Sequence, residues 1–471
     1  MTIRPSVSAT AERAPASGRR RQRRRGPASI TAAALFVVAG GAFAAGQIEA
    51  LGTADGGAKT PDGAVEAMFQ SLSENDVLGV LDHLAPGERE VVKDATVDYV
   101  DELSRLGVVS EDLDLSAVPG FEFSYGGMTY ASEQANERVW LVEVTGGTMT
   151  VGVNTAELPV GDLLFDRLDL ATNSVTETVT VDIAEDLGDD ELRVAVVEEG
   201  GSYFVSSFYT AAELAAASAG YTMPATSIPA VGAATPADAL RGVIDAGIQL
   251  DVAGLIELTP PDEMAALHDY GLILVELAEQ ALGEADVESA LDGWTISVDA
   301  LDLEQVEVTG GIKLQPTHIA VSGADTEGRG FDVSATKVDE TCVDYSVTAV
   351  EVRDDRAPDE VAMSGRACAA DIKNAFEGEG VPVEVQAIAE RLVGQLGQVG
   401  VVTVEVDGRW YVSPSRTLTD VLLVGMQGLE GDDIETLWDY VGSSLMYLDD
   451  DLAEYPSEVV IEDVSPPTTD N

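Results

Sequence analysis

Three histidines, two cysteines and a large excess of carboxylates are what this sequence offers for chemistry. His83, His268 and His318 lie far apart, and none has metal-ligand spacing to a second ligand. His83 sits in Asp-His-Leu-Ala-Pro, which reads as a helix end, where a half-exposed histidine is ordinary. Serine hydrolysis often shows a Gly-x-Ser-x-Gly elbow, and the chain has none. It also lacks a phosphate loop and a dinucleotide fingerprint; Gly394, Gly397 and Gly400 have the wrong spacing and lie on a helical stretch. The acidic runs Asp189-Asp190-Glu191, Asp432-Asp433 and Asp449-Asp450-Asp451 could attract Ca²⁺. None follows the calcium-loop pattern of alternating ligands, central Gly and terminal Glu, so they read as solvated charge. Trp140, Trp294, Trp410 and Trp438 read as core or hairpin cover rather than a sugar platform. No residue is assigned a catalytic, cofactor-binding or metal-binding role, no cofactor is expected, and the chain reads as a protein that is not an enzyme.

Charge is distributed very unevenly over the 471 residues. The formal net charge is −58, yet residues 1–48 hold eight Arg against the single acid Glu12. Residues 26–48 carry no charge at all. At 1.5 Å per residue such a run can span a hydrocarbon core of about 30 Å. The positive-inside rule then puts residues 1–25 in the cytoplasm as a basic, disordered arm and everything after residue 48 outside. The competing reading is a cleavable signal, with Ile30 to Ala39 as its apolar stretch and Ala42-Phe43-Ala44 as its small-residue cleavage site. The expectation is a single-pass cell-membrane protein, or alternatively one secreted after cleavage near Ala44. No Cys lies near the segment, which excludes a lipoprotein anchor.

The acidic remainder excludes nucleic acid as a partner, because phosphate binding needs Lys and Arg. It would attract cations and basic partners. Cys342 and Cys368 both fall on the outer side of the membrane by this topology, where disulfides persist. Each lies in a strand-like segment, and a Cys342–Cys368 bridge is expected. A metal pair lacks support, since there is no Cys-x-x-Cys and no nearby His.

The elements that must position all of this come in two copies. Thr60-Pro61 matches Thr235-Pro236, Ala64 matches Ala239, and Asp76-Val77 matches Asp251-Val252. Gly79 matches Gly254, Pro86 matches Pro261, Glu88 matches Glu263 and Asp94 matches Asp269. Thr before Pro starts a helix, since Thr caps free N–H groups and Pro loses nothing at the first position. Asp76 and Asp251 read as caps of a second short helix. Val142 to Gly147 is repeated residue for residue by Val306 to Gly311, and both read as a strand entering a tight turn. Each copy closes alike. Gly200-Gly201 and Asp407-Gly408 are type I′ hairpin signals, and Thr210 and Thr417 lead into apolar helical stretches.

The fold class is therefore α+β: two related repeats, each with N-terminal helices and a curved antiparallel sheet, behind one N-terminal transmembrane helix. Residues 49–59 read as a linker, 60–219 as repeat 1, 220–234 as a second linker and 235–428 as repeat 2. Repeat 2 is enlarged by 43 residues, including both cysteines and a helix near Val383 to Leu396. Residues 429–471 read as a helix around Ile434 to Leu448, then a disordered acidic tail.

Helices, a curved sheet and a final hairpin of the form Asp407-Gly-Arg-Trp-Tyr-Val-Ser-Pro414 resemble cystatin-like or nuclear-transport-factor-like cone folds. These occur behind one membrane anchor in extracytoplasmic proteins of actinobacterial type. The resemblance implies a fold more than an activity. It also implies an open cone whose apolar pocket could carry a small ligand or, less directly, house an enzyme's carboxylate or Tyr. Tethering and duplication point instead to a binding module for an envelope protein or another basic partner.

Overall fold

The computed structural model describes residues 57–186, 192–284, 293–351, 359–376 and 380–441. Three helices open repeat 1: α1 (Pro61–Ser73), α2 (Val77–Asp82) and α3 (Pro86–Arg105). Thr60 caps α1 by accepting the Gly63 N–H at 3.1 Å, and Asp76 caps α2 by accepting the Gly79 N–H at 2.9 Å. Ala64, Val65 and Phe69 form the buried face of α1. A sheet follows, built from β1 (Phe121–Gln134), β2 (Val139–Asn154), β3 (Thr176–Asp182), β4 (Leu192–Glu199) and β5 (Ser202–Ser206). Helix α4 (Ser207–Ala219) closes the repeat.

Repeat 2 reuses these devices. Its helices are α5 (Pro236–Ile248), α6 (Val252–Glu257) and α7 (Ala265–Glu284). Thr235 accepts the Asp238 N–H at 3.1 Å and Asp251 the Gly254 N–H at 2.9 Å. Its sheet has β6 (Thr295–Val308), β7 (Gly311–Ala324), β8 (Gly330–Lys337), β9 (Cys342–Glu351), β10 (Asp359–Cys368), β11 (Val401–Val406) and β12 (Arg409–Val412). Helix α8 (Val383–Gln395) precedes β11, and α9 (Pro414–Gln427) closes the repeat.

Both sheets are antiparallel and curled, and one long strand organises each. Strand β2 pairs with β1 on one side and with β4 and β3 on the other. Strand β7 likewise pairs with β6, and with β11 and β8. The closing hairpins turn as expected: Gly200 and Gly201 have φ of 59° and 81°, Asp407 and Gly408 of 52° and 74°. Positive φ at both central residues is the type I′ signature.

One expectation is corrected. Thr309-Gly310 is the turn from β6 into β7, with Gly311 opening β7, but Gly146-Gly147 lies inside β2. The matched hexapeptides therefore occupy non-equivalent strands, since Val142 belongs to the central strand and Val306 to its outer neighbour. In β2 the flexible pair marks a register shift against β1 near Thr129 rather than a turn. The enlargement of repeat 2 is the hairpin β9–β10 together with α8. It extends the sheet beyond β8, the counterpart of β3. Cys342 and Cys368 are directly opposed residues of β9 and β10, and the expected disulfide joins them.

The two repeats interlock. Helix α7 of repeat 2 packs on α4 of repeat 1, while α3 of repeat 1 packs on α9 of repeat 2. Tyr99 donates to the Thr419 carbonyl at 2.9 Å, and Arg105 to the carbonyls of Met426 and Leu429 at 3.0 Å each. Reciprocal contacts of this kind describe an isologous pair. Its axis passes near Gly87 and Asp262, which occupy matching positions in the two copies. A Cβ on Gly87 would lie 2.6 Å from the Asp262 carbonyl oxygen. The stretch 220–234 is embedded rather than loose: Tyr221 and Ile228 are buried, and Ala233 pairs with Trp410.

No helix among the described residues is long and apolar enough to cross a membrane. The basic arm and the span at 26–48 lie outside the described residues, as do Asp189-Asp190-Glu191, Asp449-Asp450-Asp451 and the tail from 442. The helix expected around Ile434 is present over residues 431–441.

Candidate interaction surface

The buried carboxylates come first, because a buried acid is where catalysis would start. Glu88 and Glu263, matched in sequence, are both buried at the N-termini of the closing helices. Glu88 accepts the hydroxyls of Ser206 and Ser207 and the N–H groups of Ser207 and Phe208. Glu263 accepts the hydroxyls of Ser413 and Ser415 and the Arg416 guanidinium. Burial raises the Glu88 carboxyl above its ordinary range, against the pull of these donors. Four donors to one carboxylate at a helix N-terminus make a cap, which is a structural role. The threonine that follows is duplicated as well. Thr210 accepts the Ala195 N–H and Thr417 the Val402 N–H, both at 2.9 Å, which ties helix to sheet.

The repeat interface holds crossed tyrosine–carboxylate pairs. Tyr209 of α4 donates to Asp269 of α7, and Tyr270 of α7 donates back to Glu213 of α4 at 2.7 Å. Tyr221 donates to Glu276 at 3.1 Å. Burial, and then the partner carboxylate, raise the hydroxyls of Tyr209 and Tyr270, so both stay protonated as donors. The histidines are not brought together. His83 ends α2, and its carbonyl accepts the Val205 N–H. His268 is buried in α7 with its ring nitrogens against the carbonyls of Ile228 and Thr259. His318 sits on β7, 2.8 Å from the Thr336 hydroxyl. Among the described residues no group of His, Cys, Asp and Glu is placed to hold a metal ion.

The cone interiors differ. In repeat 1 the space between α1 and β1 is filled by the rings of Phe69, Phe123 and Tyr125, whose centroids lie 5.7 to 6.1 Å apart. Tyr130 then reaches Glu66 of α1. In repeat 2 Ile244 takes the place of Phe69 and Arg241 that of Glu66. A cleft of about 250 Å³ remains there, lined by Arg241, Ile244, Asp245, Val298, Asp299 and Leu301. Small-ligand pockets run to roughly 300–1,000 Å³, so this cleft is small for a carrier.

Beyond the cleft the sheet of repeat 2 runs on with no helix of the described residues packed over it. Leu240 and Ile244 of α5 pack on Leu301, Leu314, Val298 and Ile319. The register carries the same face outward in rows. Val321, Val333, Val347 and Met363 form one, and Gly323, Phe331, Ala349 and Val361 the next. Val361 and Met363 are each 55% exposed and Val333 40%. The opposite face is polar, with Asp332, Ser334 and Thr336 beside Asp344, Ser346 and Thr348. Each strand thus alternates apolar and polar, as a half-buried strand does, but its apolar side faces solvent. The alternation is legible in the sequence; the missing cover is not. Strand β10 is the outer edge, paired only with β9 among the described residues.

No family model, curated protein or solved structure matches this chain.

Proposed function

We propose that this protein is a membrane-tethered, extracytoplasmic interaction module of the cell envelope, built from two fused cystatin-like or nuclear-transport-factor-like repeats and not acting as an enzyme. One observation carries the reading: the enlargement of repeat 2 projects a sheet whose apolar face is open at Val333, Val361 and Met363. Contiguous apolar surface of this kind marks interaction sites in soluble proteins. The hairpin extends a sheet whose inner strands belong to repeat 2, and repeat 2 packs on repeat 1. The disulfide across β9 and β10 supports an oxidising compartment. The charge-free span at 26–48 behind eight Arg supports the tether.

The test is photo-crosslinking in the native cell. A benzophenone amino acid is placed at Val333 or Met363 on the apolar face, and at Thr336 or Ser364 on the polar face. A discrete adduct from the apolar positions alone is expected. No adduct, or the same adducts from both faces, overturns the reading. Fractionation of the same cells is expected to find the chain in the membrane with an intact N-terminus. A soluble cytoplasmic chain removes the topology.

A further inference from the structure

Among the described residues the outer edge of β10 has no strand beside it, and it lies next to the apolar rows; the two features together specify more than a sticky surface. Strand β10 pairs with β9 over ten consecutive positions without a bulge. Its sequence, Asp-Glu-Val-Ala-Met-Ser-Gly-Arg-Ala-Cys, contains neither Pro nor Lys. Native sheets usually guard an edge with such residues, with a bulge or with a covering segment. The rows through Phe331 and Val333 end on this strand at Val361 and Met363. A further strand laid along β10 would continue both rows with its own alternate residues. Ladder hydrogen bonds would supply affinity and the rows specificity.

Charge selects the occupant. Among the described residues three cations near this end of the sheet are engaged. Arg366 makes a bidentate pair with Asp344 at 2.8 and 3.0 Å, Lys337 donates to the Gly397 carbonyl, and Arg329 pairs with Asp325. Strand β10 itself opens with Asp359 and Glu360, and the chain as a whole carries −58. A second copy of this chain, or its own acidic residues after 441, would meet like charge. Resting on the interaction-module reading above, we infer that β10 takes an extended segment of a partner protein by strand addition. That segment has apolar residues at alternate positions, which cover Val361 and Met363, and Lys or Arg at the positions between them.

The experiment uses the full-length chain and two synthetic peptides of one composition. The first alternates, Lys-Val-Lys-Val-Lys-Val-Lys-Val-Lys, and the second groups the same residues, Lys-Lys-Lys-Val-Val-Val-Val-Lys-Lys. Binding is measured by titration calorimetry in high salt, where attraction between exposed charges is largely screened. The alternating peptide is expected to bind at least tenfold more tightly than the grouped one and to slow hydrogen exchange in β10. The double substitution Val361→Thr with Met363→Thr keeps strand-forming residues and is expected to weaken the alternating peptide about tenfold. Equal binding of the two peptides, unchanged binding by the threonine variant, or protection at another edge overturns the proposal. So does a requirement to remove residues 442–471 before the peptide binds, which would make the chain's own tail the occupant. A dimer that the threonine variant dissolves would do the same for a second copy. If these arms fail while Met363 still crosslinks a partner in cells, strand addition is wrong and the module stands.

Discussion

Glu88 and Ser206 are joined by a hydrogen bond that spans 118 positions of the chain, from the start of α3 to the residue capping α4. Glu263 and Ser413 repeat it across 150 positions in the second copy. Glu88 enters from α3 and Glu263 from the turn just before α7, and each holds the N-terminus of its repeat's closing helix. Removing it strands buried donors: the Ser206 and Ser207 hydroxyls and two backbone N–H groups in repeat 1. Glu88→Ala is therefore expected to cost about 1–3 kcal/mol, the usual penalty for buried groups left without partners. Urea unfolding of the variant measures it. Glu263→Ala should fall in the same range, and an undiminished midpoint for either would show that water replaces the carboxylate.

The same carboxyl carries a pH signature. Burial holds Glu88 above its ordinary value of 4.5 in the folded chain. The folded state then keeps this proton at pH values where the unfolded chain has already lost it. Its contribution to stability is fully present below about pH 4.5 and declines as the pH rises through the raised folded value. Glu88→Gln removes the titration while keeping an acceptor for the Ser207 N–H. The stability difference between variant and wild type should move in the variant's favour from pH 4 towards neutrality. A pH-independent difference would contradict the burial argument.

The crossed pairs Tyr209–Asp269 and Tyr270–Glu213 predict that the repeats unfold together. Each hydroxyl donates from one repeat to a carboxylate of the other, inside a cluster that also buries Val139, Phe204, Ala266 and Ile273. Tyr209→Phe and Tyr270→Phe should each cost about 1 kcal/mol, the net worth of an ordinary hydrogen bond. The readout is hydrogen exchange at β4 and at β11, in different sheets. Either substitution should raise exchange in both, because the interface is shared. A change confined to one sheet would mean that the repeats are independent domains.

Much of this plan was legible in the sequence because its signals are local. Thr60, Thr235, Asp76 and Asp251 cap the helices they were expected to cap, and the Gly200-Gly201 and Asp407-Gly408 turns have the backbone they imply. The disulfide followed from two cysteines in strand-like segments of one enlargement. What failed or was missed depends on tertiary partners. The Val-Glu-Val-Thr-Gly-Gly motif has one local pattern but two settings, a turn in repeat 2 and the middle of β2 in repeat 1. Strand length set by pairing with β1 decided that difference. Glu88 and Glu263 match in sequence but show no role there, because their serines lie more than a hundred positions away. The open face of β8 to β10 was also beyond reach, since alternation shows that a strand has an apolar side but not what covers it.

Gly87 meets its own counterpart Asp262 at the point where the repeats cross. A methyl group there would press on the Asp262 carbonyl at 2.6 Å, and backbone on both sides limits adjustment. Gly87→Ala is expected to cost about 1–3 kcal/mol through overpacking. Gly107 offers a contrast within the same repeat, since a Cβ there would meet only the Leu163 side chain at 3.6 Å. Its positive φ of 70° still makes Gly107→Ala unfavourable, but through local backbone strain. Thermal unfolding followed in both sheets separates the two. Gly87→Ala should lower both transitions together, whereas Gly107→Ala should act within repeat 1 first.

The Cys342–Cys368 bridge ties directly opposed residues at the base of the β9–β10 hairpin, 26 positions apart in sequence. Loop-closure entropy assigns a bridge of this span about 3 kcal/mol. Most of that constraint falls on one hairpin, because β11, β12 and α9 are held by the shared core through Thr403, Thr417 and Ser413. Replacing both cysteines by serine should therefore loosen the edge before the body. Hydrogen exchange is expected to rise across β9 and β10 while β11 and β12 keep their protection. The same variant should present β10 less rigidly, so the alternating peptide should bind more weakly than to the bridged chain, with no change in the peptide's salt dependence. Faster exchange throughout both sheets would instead place the bridge in the folding core. Unchanged exchange in β10 would show that Arg366–Asp344 and the ladder hold the hairpin closed without it.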